Sequence, residues 1–282
     1  MFKITAKEQL SSDVYSMWIH APLIAEERQA GQFIILQIDN NFGERVPLTI
    51  ADANCETGDV RIIFQAVGAT TKRLAQMNVG DALPVFLGPL GRPTEIKKHN
   101  GIVVCVGGGI GVAPLHPIAQ AMKRAGNHVV VIMGARNKDL LILEDEMRAI
   151  ANELIICTDD GSVGRKALVT EPLKEICERG NVAECVTIGP PIMMKCCAQT
   201  TLPYATPTVA SLNSIMIDGT GMCGGCRVLV GGKIKFVCVD GPEFDAHQVD
   251  FDNLIKRNRS FVPREREDNC NLLRMADEKQ NA

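Results

Sequence analysis

Residues 101–114 read GIVVCVGGGIGVAP, and the architecture of the chain follows from them. After Gly101 comes a continuous apolar run, Ile102 to Val106, as expected of a strand buried on both faces of a parallel sheet. The run enters Gly107-Gly108-Gly109-Ile110-Gly111-Val112-Ala113-Pro114. Beyond it Leu115, Ile118, Ala119 and Met122 recur at helical spacing until Gly126 stops the pattern. Pro114 and Pro117 are expected in the first turn of this helix, where a missing donor costs little. Strand, glycine turn and helix N-terminus in this order form a cradle for a diphosphate, because the free amides and the helix dipole both favour an anion. A turn that served tight packing alone would carry the entropic cost of three consecutive glycines without return. The pattern is not GxGxxG, so by itself it predicts a phosphate and no particular nucleotide.

Downstream the chain repeats strand then helix. Val129–Met133 runs into Gly134-Ala135-Arg136, Leu154–Cys157 into Asp159-Asp160-Gly161, and Val186–Ile188 into Gly189-Pro190-Pro191-Ile192-Met193-Met194. In an open parallel sheet, ligands bind beyond the carboxyl ends of the strands, where all these turns fall. Arg136 reads equally as a phosphate partner or as a solvated turn residue. Residues 98–210 are therefore expected to form an α/β parallel-sheet domain, with a linker or domain edge near 205–212.

Upstream, residues 1–97 hold short runs at Phe2–Ile4, Val14–Ile19, Phe33–Ile38, Val60–Phe64 and Leu83–Leu87, separated by Gly, Asn, Asp and Pro. They predict a small antiparallel β-barrel. Two segments in it offer polar chemistry. Arg45-Val46-Pro47-Leu48-Thr49, after a turn at residues 40–43, would present a guanidinium and a hydroxyl from one side of an extended segment. Gly68-Ala69-Thr70-Thr71 would open a short helix with free amides. Each alone also reads as ordinary turn or capping sequence.

The C-terminal region, residues 211–282, is marked by Ile217–Cys238, IDGTGMCGGCRVLVGGKIKFVC. Cys223 and Cys226 are two residues apart, Cys238 follows after eleven more, and Asp218 stands where a fourth thiolate of a plant-type [2Fe–2S] site would be expected. Gly219, Gly221, Gly224 and Gly225 suit a loop that wraps a cluster and turns its amides toward sulfur. A structural zinc site would call for a second Cys-x2-Cys knuckle. Three inert buried cysteines would leave the glycines unexplained. The tail from Pro263 is dense in charge and reads as a solvated helix or frayed end.

The 282 residues carry a net charge of −3, giving no basic footprint for nucleic acid or an anionic membrane. The eleven cysteines sit mostly in apolar runs, as small hydrophobes of a reducing compartment. The N-terminus lacks the continuous apolar stretch of a signal peptide and no run is long enough to span a membrane, which together predict a cytoplasmic protein.

The order of these motifs resembles the ferredoxin reductase superfamily. Arg45, Pro47 and Thr49 match its Arg-x-Pro/Tyr-Ser/Thr flavin strand, and Gly68, Thr70 and Thr71 its pyrophosphate turn. Gly88 to Gly91 resembles its barrel exit. Residues 107–114 match its Gly-Gly-Gly-Ile-Gly-x-Ala-Pro turn, and the Gly189–Met194 segment the turn that approaches the nicotinamide. With a C-terminal cluster added, the chain resembles the electron-transfer subunits of dihydroorotate dehydrogenase and their relatives up to about residue 260. That branch has four cysteines; an Asp at 218 is similar to the small subunits of electron-bifurcating NADH-dependent reduced ferredoxin:NADP+ oxidoreductases and of sulfide dehydrogenases. The resemblance implies FAD on Arg45, Pro47, Leu48, Thr49, Gly68, Thr70 and Thr71. It implies NAD(H) on Gly108, Gly109, Gly111, Pro114, Arg136, Gly189 and Met193, and a [2Fe–2S] cluster on Asp218, Cys223, Cys226 and Cys238.

Nicotinamide exchanges hydride and the cluster single electrons, so a flavin must stand between them. No acid–base catalyst is required. The family implies a larger flavin and iron–sulfur partner that binds NADP(H) and exchanges electrons with ferredoxin. A dihydroorotate or sulfide dehydrogenase partner is the alternative. A non-catalytic, metal-stabilised interaction module is the alternative of another class.

Overall fold

The computed structural model describes residues 1–39 and 43–280, and side chains in the last helix as far as residue 271. The turn expected at residues 40–43 thus lies, Gly43 excepted, outside the described residues.

The N-terminal sheet contains β1 (Phe2–Gln9), β2 (Val14–His20), β3 (Phe33–Gln37), β4 (Val46–Asn54), β5 (Asp59–Gln65), β6 (Ala82–Leu83) and β7 (Val85–Leu90), in the order β6-β1-β2-β5-β4-β3-β7. All pairs are antiparallel. Its two edge strands, β6 and β7, are separated in the chain by Pro84 alone, so the edges are drawn together and the sheet curls into a nearly closed barrel. Inward residues of alternate parity, such as Met17, Ile19, Ile34, Leu36, Ile62 and Phe64, fill it. Two helices accompany the barrel, α1 (Pro22–Glu27) and α2 (Ala69–Gln76).

The second sheet is built from β8 (Ile102–Gly108), β9 (His128–Ala135), β10 (Glu153–Thr158), β11 (Arg165–Lys166), β12 (Val182–Ile188) and β13 (Thr208–Ser211), all parallel to their neighbours. Its helices are α3 (Val112–Arg124), α4 (Glu144–Ile150), α5 (Thr170–Arg179) and α6 (Pro191–Thr201). β8 is central and buried almost throughout, which is why its sequence is apolar without alternation.

Two sequence expectations need correction here. Pro117 is not in the first turn: α3 begins at Val112, so Pro117 stands in its second turn and withholds a donor from the helix interior. The stretch expected as a linker or domain edge, residues 205–212, contains strand β13, which rules out only a free linker. It is short and directly preceded by Pro207, and its strand character comes from pairing with β12.

The C-terminal region folds as a hairpin of β14 (Arg227–Val230) and β15 (Lys233–Phe236), a single turn α7 (Val237–Asp240), then β16 (Glu243–Asp245), α8 (Phe251–Asn258) and α9 (Val262–Gln280). β16 pairs antiparallel with β13 and so extends the second sheet. An apolar core shared by all three regions joins Phe33 and Ile35 of the barrel, Met194 and Ala210 of the second sheet, and Cys226 and Cys238. Among the described residues no helix is long and apolar enough to cross a membrane.

Candidate functional site

Strand β4 changes partner halfway. Val46–Thr49 pair with β3, whereas residues from Ile50 to Asn54 pair with β5. Pro47 therefore sits on a stretch laddered on one side only, where its missing N–H leaves no acceptor unfilled. Arg45, just before the strand, is half-buried, and its Nε is buried without a hydrogen-bond partner among the described residues. A guanidinium N–H left so is costly, and an anionic ligand oxygen is the group that would satisfy it. The Thr70 hydroxyl donates to Glu44 Oε2 at 2.5 Å, which ties the second polar segment to the residue beside Arg45. Thr71 Oγ1 accepts from the Gly68 amide at 3.1 Å and donates to the Gly68 carbonyl at 3.2 Å. Both hydroxyls thus shape the turn itself, and the two segments singled out in the barrel meet.

The glycines of the second site divide the work. A Cβ on Gly111 would run into the Ile188 carbonyl and come within 2.8 Å of Gly189 Cα, so Gly111 is required by the packing of α3 against the end of β12. On Gly108 it would overlap Met193 Sδ, and on Gly189 it would lie 2.7 Å from Met193 Cε; the Met193 side chain fills the space between the two turns. Gly109 is different: its φ is +55° and nothing lies within 4 Å of a Cβ built there. Free space at the N-terminal turn of a thirteen-residue helix suits the approach of a diphosphate. Arg136 lies at the exposed end of β9, its carbonyl accepting from the Asp160 amide at 3.2 Å. A surface recess lined by His99, Asn100, Ile102 and His128 lies at the amino ends of the strands, the wrong end of such a sheet for a nucleotide.

In the C-terminal loop the four expected ligands fall into two pairs. Cys226 and Cys238 are 1% and 2% exposed, with their sulfurs 3.2 Å apart; burial, with Cys226 beside it, pushes the Cys238 thiol up to about 12. Cys223 is exposed and accepts the Gly225 amide at 3.4 Å; that bond, with further amides from Asp218 and Ile217, draws its thiol below the ordinary value. Asp218 Oδ2 accepts from the Thr220 hydroxyl at 2.7 Å and from the amides of Thr220 and Met222 at 2.9 and 3.0 Å, and these bonds hold its carboxyl below its ordinary range. Its other oxygen takes no part in these bonds. Among the described residues no three His, Cys, Asp or Glu side chains converge as a single metal ion would require. Two pairs fit a cluster of two irons, each needing two protein ligands, better than they fit zinc.

Sequence reading missed what holds this loop open. Arg227 Nη1 donates to the Gly224 carbonyl at 2.7 Å, and Arg257 Nη2, from α8, to the Gly225 carbonyl at 3.0 Å. Beside these anchored carbonyls the Gly225 amide donates to Cys223 Sγ at 3.4 Å and the Cys238 amide to Cys226 Sγ at 3.5 Å. Arg257 is far along the chain, and nothing in its local sequence signals the contact. The loop also rests on the barrel: a Cβ on Gly219 would meet Ile35 and Leu90 at 2.9 and 3.0 Å.

Comparison with known proteins gives two family matches. Residues 213–250 match the iron–sulfur cluster binding domain of dihydroorotate dehydrogenase B, and residues 105–199 the oxidoreductase NAD-binding domain. The chain is 44% identical over 276 residues to a dihydroorotate dehydrogenase B (NAD(+)) electron transfer subunit homolog of Thermotoga maritima, covering 98% of this chain and 97% of the relative. It is 32% identical to the dihydroorotate dehydrogenase B (NAD(+)) electron transfer subunit of Desulforamulus reducens, over 88% of this chain and 96% of that one. Among solved structures, a chain of an NADH-dependent reduced ferredoxin-NADP oxidoreductase, studied for flavin-based electron bifurcation, superposes with a TM-score of 0.91. That chain is 42% identical, and the match covers 97% of this chain and 98% of that one.

Proposed function

The chain belongs to the family of dihydroorotate dehydrogenase B electron-transfer subunits and their homologues, and we propose that it serves a flavin-based electron-bifurcating NADH/ferredoxin:NADP+ transhydrogenase. It is an oxidoreductase subunit with FAD, NAD(H) and a [2Fe–2S] cluster as its cofactors. The observation that carries the more specific reading is the ligand set, a carboxylate at Asp218 paired with three thiols, in a chain so close to one from such an oxidoreductase.

In this reading residues 1–97 hold the flavin, 98–210 the nicotinamide and 211–282 the cluster. Arg45 and the first amides of α2 hold the flavin phosphates, with Pro47, Leu48 and Thr49 along its ring edge and Gly68, Thr70 and Thr71 shaping the turn. Gly108, Gly109 and Pro114 form the diphosphate cradle, with Gly111 seating it, Arg136 at its mouth, and Gly189 and Met193 beside the nicotinamide. Asp218, Cys223, Cys226 and Cys238 would hold the [2Fe–2S] cluster. The bound groups supply hydride and one-electron chemistry; the side chains place them and move no proton.

The partner is a larger subunit that carries further flavin and iron–sulfur centres, binds NADP(H) and exchanges electrons with ferredoxin, in the cytoplasm. Exposed Met222, Ile217 and Val239 beside Cys223 give it an apolar footing at the cluster. The test is reconstitution. The anaerobically purified chain, showing flavin and iron–sulfur absorption, should reduce artificial acceptors with NADH, but neither ferredoxin nor NADP+ efficiently until its co-purifying partner is restored. Complete ferredoxin-coupled transhydrogenation by the single chain would overturn the proposal, and so would a colourless zinc protein. A co-purifying dihydroorotate-oxidising subunit would favour the family's other branch.

A further inference from the structure

The barrel and the second domain share one apolar core, in which Val14, Ala51 and Ile63 pack with Val112, Ala113 and Leu115. Set into that contact is a group of polar side chains used by neither cofactor motif. Arg61 of β5 is 8% exposed; its Nε donates to Ser16 Oγ at 2.9 Å, and its Nη1 reaches both oxygens of Glu146 on α4, at 3.0 and 2.9 Å. His116 of α3, also buried, has its Nε2 3.7 Å from Glu146 Oε2 and lies against the backbone of Ala51. Glu146 therefore joins a barrel strand to the helix that starts at the glycine turn.

The placement along the chain is what matters. Ala51 lies two residues beyond Thr49 on β4, and His116 lies five residues beyond Gly111 at the start of α3. The flavin strand and the diphosphate turn are thus connected through one short path, Thr49 to Ala51 to His116 to Gly111. A buried guanidinium adds little net stability over an apolar pair of the same size, yet it tolerates only a narrow range of geometries.

We propose that Arg61 and Glu146 are positioning residues that fix the angle between the flavin barrel and the nicotinamide domain, and with it the approach of the hydride donor to the flavin. The proposal rests on the function assigned above. An error of about 1 Å in that approach slows transfer on the order of 100-fold.

The experiment follows flavin reduction by NADH in the full chain, loaded anaerobically with FAD and cluster. Glu146→Gln should lower the limiting rate roughly 10- to 100-fold, keep its flavin, and hold the NADH dissociation constant within about threefold. The double variant Arg61→Met/Glu146→Met should regain most of the lost thermal stability but not the rate. Recovery of the rate together with stability, or a single variant within about twofold of wild type, would overturn the proposal. A wild-type flavin that NADH does not reduce would instead overturn the functional reading. Hydrogen exchange then decides the clamp by itself: Glu146→Gln should speed exchange of the Ala51 amide and the first turns of α3 in the FAD-loaded chain, and unchanged protection there would overturn it.

Discussion

The glycine turn after β8 and the cysteine loop after β13 are both rich in glycine, yet they are built on opposite principles. In the turn, the walls are already in place in the folded chain, backbone at Gly111 and the Met193 side chain at Gly108 and Gly189. Gly111 is enclosed by Ile188 and Gly189, and only Gly109 opens on free space. In the cysteine loop the recognition groups are side chains, and they stand in pairs: a buried thiol couple, and an exposed thiol next to a carboxylate that is bonded to its own loop. A backbone cradle is complete as soon as the chain folds, since amides need no partner to acquire their direction. A ring of thiols and a carboxylate is completed by the charge it binds.

The largest expected break in this comparison is at the buried thiol couple. Cys226→Ala should reduce iron per chain to background and abolish the cluster's electron paramagnetic resonance signal, while FAD and NADH still bind. A retained signal would remove Cys226 from the ligand set. Next comes the turn. Gly111→Val should destabilise the chain by about 1–3 kcal/mol or more, because a side chain there must displace backbone. Gly109→Ala should cost only about 1 kcal/mol for its left-handed conformation but weaken NADH selectively. Thermal melts alongside NADH titrations would separate the two, and equal NADH affinity in Gly109→Ala and wild type would mean the open space is not the diphosphate site.

Asp218 gives a smaller and more graded effect. A carboxylate matches the charge of a thiolate, so Asp218→Cys should assemble the cluster with a shifted potential, and Asp218→Ala should assemble it incompletely. Full iron content and an unchanged resonance spectrum in Asp218→Ala would show that this carboxylate is not a ligand.

The smallest effect is at the seam of the two regions. Burial lifts the Glu243 carboxyl to about 7, opposed by the hydroxyl of Thr94, which donates to Oε1 at 2.6 Å, and reinforced by Glu184. A carboxyl that holds its proton more tightly in the folded state contributes stability below its ordinary titration range, and that contribution is lost as pH rises toward 7. Glu243→Gln should therefore flatten the fall in Tm between pH 5 and pH 8 by roughly 2–4 °C. An unchanged slope would assign the pH dependence to another group.

The barrel strands and the β8–turn–α3 unit were legible because each follows from local chemistry: short apolar runs bounded by turn residues in β2 and β5, uninterrupted burial in β8, and glycine at a left-handed position. The pairing of Cys226 with Cys238 was legible as spacing but not as a contact, although Gly231-Gly232 followed by the alternating Lys233-Ile234-Lys235-Phe236 is the signal of the hairpin that brings the two together. β13 and β16 were not legible, because strands of four and three residues owe their form to a neighbour and not to their own propensity. Arg257 and Glu146 act across long stretches of chain, and a side chain's distant partner leaves no periodicity to read. Pro117 illustrates the reverse case: a local rule favoured the first turn, and the glycine-rich start moved the helix one turn earlier.

The antiparallel ladder between β13 and β16 has a consequence for how the molecule can be taken apart. Some redox proteins carry their iron–sulfur module on a tether, so that it swings between donor and acceptor. Here the segment that follows the cysteines is stitched into the edge of the nucleotide-binding sheet through Ser211 and Glu243, Ala210 and Phe244, and Val209 and Asp245. The segment after the cysteines is thereby held by the fold at a set place against the nucleotide-binding sheet. Transplanting residues 213–250 into another reductase would fail unless the host sheet supplied an edge strand to receive them.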